Sequence, residues 1–115
     1  MNNLQIRLID FADSIMDFTD KYRGNSSLNG LINQLNRSSS SIGANYSEAQ
    51  SASSKKDFHN KIRIALKEAR ETEYWIELLI RRVKEDSNYF KLKNETEEII
   101  KILTTIVRKT DQNQI

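Results

Sequence analysis

His59 is the one histidine of a 115-residue chain that contains no cysteine. Disulfides and thiolate metal sites are therefore excluded, and a lone histidine supports neither a conventional zinc set nor a conventional catalytic triad. Helical bundles can hold paired metals through Glu-x-x-His motifs projecting inward from facing helices. No such motif occurs here. Glu48, Glu68, Glu71 and Glu73 are thus expected to form salt bridges, and His59 to be a polar residue on a helix surface. The glycines at 24, 30 and 43 stand apart from one another and form no phosphate-cradling loop. The residues point to no catalytic group, metal, cofactor or small-molecule substrate.

The chemistry that remains is electrostatic. Lys56, Arg63, Lys67, Arg70 and Arg81 are separated by nearly whole helical turns, so one helix would carry them on one face, with Tyr74 on the same line. A row of cations with an aromatic can follow a phosphate backbone and stack a base. The same row is also compatible with a solvated face, or with salt bridges to acids on a neighbouring subunit. Glu71 and Glu77 nearby would dilute its field.

That row needs a long helix, and the periodicity supplies one. An all-α chain is expected, folded as an antiparallel up-down four-helix bundle in a single domain over residues 1–115. The helices are expected at about 3–23, 28–50, 55–85 and 89–109. The first has Leu4, Leu8, Phe11, Ile15, Phe18 and Tyr22 on its core stripe, widened by Ile9, Ala12 and Met16, and it stops at Gly24. Asp10, Asp13, Asp17 and Asp20 form its solvated face, or a strip for a basic partner. The second has Leu28, Ile32, Leu35, Ser39, Ile42, Tyr46 and Ala49 inward, with Ser38, Ser41, Ala44, Asn45 and Glu48 on the far side. The apolar period crosses the serine run at 38–41 without a phase break, so that run belongs to the helix. Gly43 reads as a packing accommodation that costs about 1 kcal/mol of helix propensity. The third starts from Ser54 and Asp57 and buries Phe58, Ile62, Ala65, Ala69, Thr72, Ile76, Leu79 or Ile80, and Val83, with a close crossing near Ala65 and Ala69. The fourth turns Phe90, Ile99, Leu103, Ile106 and Val107 inward, and Thr110 to Ile115 fray.

Composition agrees with this organisation. Proline is absent, and charged residues make up 30% of the chain, a profile of long helices. No apolar run approaches the roughly 20 residues of a transmembrane helix, and the start lacks a secretory signal pattern. A cytoplasmic protein without membrane contact is expected. Eighteen basic against sixteen acidic residues give +2, so affinity for polyanions would have to come from the distribution of charge.

Ser41-Ile42-Gly43-Ala44-Asn45-Tyr46-Ser47-Glu48-Ala49, with Lys56-Asp57-Phe58, Lys61 and the run Ile64 to Trp75, resembles the four helix bundle protein family. That family is encoded by intervening sequences in bacterial 23S ribosomal RNA genes. The chain also resembles, more distantly, the accessory variability determinant of diversity-generating retroelements. The match is dense over about Ser38 to Leu79. The resemblance implies an antiparallel four-helix bundle assembled as a homopentamer around a channel, without known enzyme activity. The retroelement branch works with nucleic acid, which makes RNA, DNA or a nucleoprotein the expected partner besides the chain itself. The resemblance further gives Gly43, Ala44, Asn45, Glu48, Glu68, Glu71 and Trp75 structural roles, some of them at a subunit interface. The second face of the second helix and the off-stripe Ile64 and Trp75 would otherwise lack cover.

Overall fold

A computed structural model describes residues 1–113, with side-chain surroundings through Asp111. Four helices follow in order: α1 (Asn3–Asp20), α2 (Asn29–Gln50), α3 (Lys55–Val83) and α4 (Tyr89–Asn113), with a short 3₁₀ turn at Ser26–Leu28. Each helix packs on the next in sequence, whereas α1 and α4 meet only loosely. The result is a rod of 48 × 22 × 20 Å. α1 and α3 occupy diagonal positions, because each borders α2 and α4 and they share no substantial contact.

The ends of the helices have identifiable causes. Asn2 caps α1: its side chain accepts from the Gln5 N–H, and the Gln5 side chain accepts from the Asn2 N–H. Ser54 caps α3 by accepting from the Asp57 N–H at 3.0 Å. α3 ends at Val83, two residues before the expected limit, because Lys84 adopts a φ of 75°. α1 ends at Asp20 and continues as a turn; Gly24 has no positive φ and provides no left-handed stop. Asn25 caps the 3₁₀ turn, and α2 begins at Asn29.

The core follows the apolar stripes. Leu8, Phe11, Ile15, Ile32, Leu35, Ile42, Ile62, Ile76, Leu79, Ile99 and Leu103 are buried. Ala65 and Ala69 are fully buried where α3 crosses its neighbours. Gly43 lies against α1: a Cβ built there would stand 3.3 Å from the Leu8 Cβ. The serine run is helical, and Ser38 and Ser39 are buried. Their hydroxyls bond back to the carbonyls of Leu35 and Asn36, and Ser38 pairs with Thr72 of α3 at 2.9 Å. Small side chains that satisfy their own polarity allow two helices to close on α2.

Other expectations need correction. Ile9 and Met16 do not widen the α1 core but are exposed, with Ile6 beside them in sequence. Phe90 is exposed, and Leu92 and the half-buried Tyr89 fill the space expected for it. Phe90 sits nine residues from Ile99, which is half a turn out of phase. Ser38 is buried, since α3 covers the side of α2 read as far from the core. His59 is buried, 4% exposed. Its Nδ1 meets the Thr110 hydroxyl at 2.5 Å and its Nε2 the Asp111 carboxylate at 3.0 Å. This latch ties α3 to the end of α4, which is helical through Thr110 and on to Asn113, where fraying was expected; Gln114 and Ile115 lie outside the described residues. Thr110 Oγ1 also lies within hydrogen-bond distance of the Ile106 and Val107 carbonyls in its own helix.

Candidate nucleic-acid interface

α3 places the cationic row opposite its core stripe. Ile62, Ala65, Ala69, Thr72, Ile76 and Leu79 are buried, whereas Lys56, Arg63, Lys67, Arg70, Tyr74 and Arg81 are all exposed. From Lys56 to Arg81 the row covers about 37 Å of helix axis. Among the described residues none of these five cations makes an ion pair. Tyr74 is 61% exposed and meets Trp75 edge to face, with centroids 5.0 Å apart.

The acids expected to weaken the field are partly occupied. Arg37 of α2 reaches across to α3, holding Glu68 at 3.3 Å and Glu71 at 2.8 Å. The bond to Glu71 and the charge of Glu68 raise its guanidinium pKa further. Glu77 accepts a hydrogen bond from the Tyr89 hydroxyl; that bond and burial push the Tyr89 phenol up to about 12. The Arg37 contribution had no local signal, since its partners lie more than thirty positions along the chain.

Charge is also segregated across the bundle. α1 carries one arginine and four aspartates, and α3 carries eight Lys or Arg against five acids. These helices are diagonal, so the modest net charge conceals an acidic side and a basic side. Arg7 of α1 is tied to Glu95 of α4 at 2.6 Å, above an α1–α4 groove of about 1100 Å³ whose walls include Phe11, Phe18 and Leu92.

Most of the family-motif residues are engaged within the chain. Gly43 meets Leu8, and Asn45 donates to the Ser41 carbonyl at 2.8 Å. Glu48 pairs with Lys61 at 2.9 Å, and Glu68 and Glu71 pair with Arg37. Trp75 is half-buried against the core, and its Nε1 is buried without a partner among the described residues. Ala44 and Ile64 are exposed. The arrangement brings together Arg63, Lys67, Arg70, Tyr74 and the Arg37-bound Glu71 with Leu66, Val107 and Asp111 along an α3–α4 groove of about 590 Å³; the last three had not been singled out as site residues. Lys56 and Arg81 lie further out along the helix. No group of three metal-ligating side chains occurs among the described residues, and no described helix is long and apolar enough to cross a membrane.

No curated protein gives a significant match. A crystal structure of a protein with unknown function from the S23 ribosomal protein family of Bacteroides thetaiotaomicron is similar at 40% identity. The similarity covers 90% of this chain and 96% of that one, with a TM-score of 0.82. The sequence profile of a family described as 23S rRNA-intervening sequence protein matches residues 4–105. With the four-helix architecture and a match over most of its length, the chain belongs to the 23S rRNA-intervening sequence protein family.

Proposed function

We propose that this protein is a non-enzymatic, homo-oligomeric bundle of the cytoplasm that binds nucleic acid through the outward face of α3. The observation that carries the reading is the row of five unpaired cations opposite the core, with Arg37 holding two of the neighbouring carboxylates. Unpaired side chains can displace the counterions of a phosphate backbone without first breaking an internal salt bridge. A ring of five subunits would repeat the face and raise avidity, provided the strand reaches more than one copy. Ile6, Ile9 and Met16, exposed on α1, support burial against another subunit.

The test combines binding and mass. Replacing Arg63, Lys67 and Arg70 together with glutamine should weaken RNA binding and reduce the slope of log K against log salt by about 2, from three lost contacts on a single strand. Helicity should not change. Sedimentation equilibrium should give about five times 13.4 kDa for both proteins. Unchanged binding with an altered mass would end the nucleic-acid reading. It would leave a protein–protein scaffold whose basic face pairs with acids of a neighbouring subunit.

A further inference from the structure

We infer that the nucleic acid taken by this face is single-stranded, and that one base leaves its stack to lie on Tyr74 in the α3–α4 groove. The inference rests on the reading of α3 as a phosphate-binding face.

The groove has two unlike walls. Arg63, Lys67 and Arg70 form a cationic rim on the α3 side, where the one acid, Glu71, is paired with Arg37. Leu66 and Val107, both half-buried, supply apolar surface between the helices. Asp111 closes the α4 end, its carboxylate held by the buried His59. A phosphate is drawn to the α3 rim and repelled from Asp111, so a bound nucleotide must turn its sugar and base toward the apolar surface and α4. The groove, about 590 Å³, is open to solvent along its length, so a base can enter it from a strand lying on the surface.

Tyr74 determines the strandedness. Its edge-to-face contact with Trp75 leaves at least one ring face open, and an exposed aromatic ring gains most from a flat partner. In a duplex both faces of each internal base are already stacked, and only the rim cations would find partners. An unstacked base in a single strand offers its face at little cost. Trp75 is the only tryptophan in the chain, so its emission reports directly on what reaches Tyr74.

The experiment uses a labelled oligoribonucleotide of about twelve nucleotides, its duplex with the complementary strand, and an abasic strand of equal length. Affinity is read by anisotropy, and contact by Trp75 fluorescence. The native strand should bind at least about tenfold tighter than the duplex or the abasic strand and should alone change Trp75 emission. Tyr74→Ala should lose about 5- to 160-fold, equivalent to 1–3 kcal/mol per stacked base, and Tyr74→Phe should retain binding. Equal affinity for abasic and native strands would overturn the inference. So would an unaffected Tyr74→Ala beside a triple glutamine variant that loses binding; in that case the phosphate-binding reading would survive alone. A triple variant that binds like the original protein would remove that reading first, and this inference with it.

Discussion

Gly43 and Gly30 lie in the same helix and provide a matched pair of alanine substitutions. At Gly30 an added Cβ meets nothing within 4 Å. Gly30→Ala should therefore give the ordinary gain for a compatible site, about 0.4–1 kcal/mol. At Gly43 the same methyl stands 3.3 Å from the Leu8 Cβ and 3.7 Å from its carbonyl carbon. Neither is the far end of a flexible side chain, so relief requires moving α1 itself. Leu8 is 1% exposed, and overpacking at such a position costs about 1–3 kcal/mol. Set against the propensity gain, Gly43→Ala should range from neutral to about 2 kcal/mol destabilising. The two variants should differ by about 1–3 kcal/mol, which is the steric cost alone, because the propensity change nearly cancels between them. For a chain of this length that corresponds to several degrees in Tm. Thermal and urea unfolding followed by circular dichroism would measure it. A Gly43→Ala protein stabilised as much as Gly30→Ala would refute the close approach of α1 to α2.

Three other perturbations have defined outcomes. Arg37→Gln frees Glu68 and Glu71 beside the cationic row, and RNA affinity at low salt should fall several-fold with little change in stability, since exposed ion pairs contribute about 0–1 kcal/mol; unchanged affinity would show that the acids do not shape the field. His59→Ala should cost about 1–3 kcal/mol through lost buried hydrogen bonds and accelerate hydrogen exchange over Val107 to Asp111, whereas slow, unchanged exchange would mean that the latch does not hold α4. Burial pushes the Asp86 carboxyl up, but hydrogen bonds from Lys21, Tyr22 and the Asn88 N–H hold its pKa below the usual carboxylate range; its stabilisation is present above the unfolded pKa and lost as pH falls through the lower folded value, so Asp86→Asn should destabilise at neutral pH by about 1–3 kcal/mol and match the original protein in strong acid.

The stripes Leu8 to Phe18 and Ile62 to Leu79 were readable because helical period alone decides which residues share a face. Period does not decide how far a neighbouring helix wraps round that face. Ile9 and Met16 lie next to the stripe on α1, yet both are exposed. His59 shows the converse: it lies beside the stripe residue Phe58 and not on the stripe, and its cover comes from the last turns of α4, some fifty positions away. The cationic row was legible for the same reason as the core, being one face of one helix. What sequence could not supply was the state of the nearby acids, because the Arg37 contacts to Glu68 and Glu71 depend on the α2–α3 register, and the apolar surface from Val107, which depends on where α4 lies.

Lysine footprinting tests the central claim most directly. Acetylation rates are compared with and without RNA by mass spectrometry on the intact assembly. Lys56 and Lys67 lie on the α3 row, whereas Lys91 and Lys101 are exposed on α4. RNA should slow acetylation of Lys67 most and Lys56 to a lesser degree, leave Lys101 unchanged, and lose this protection as salt rises. Protection of Lys91 and Lys101 with Lys67 still freely acetylated would contradict the assignment of α3 as the nucleic-acid-binding face.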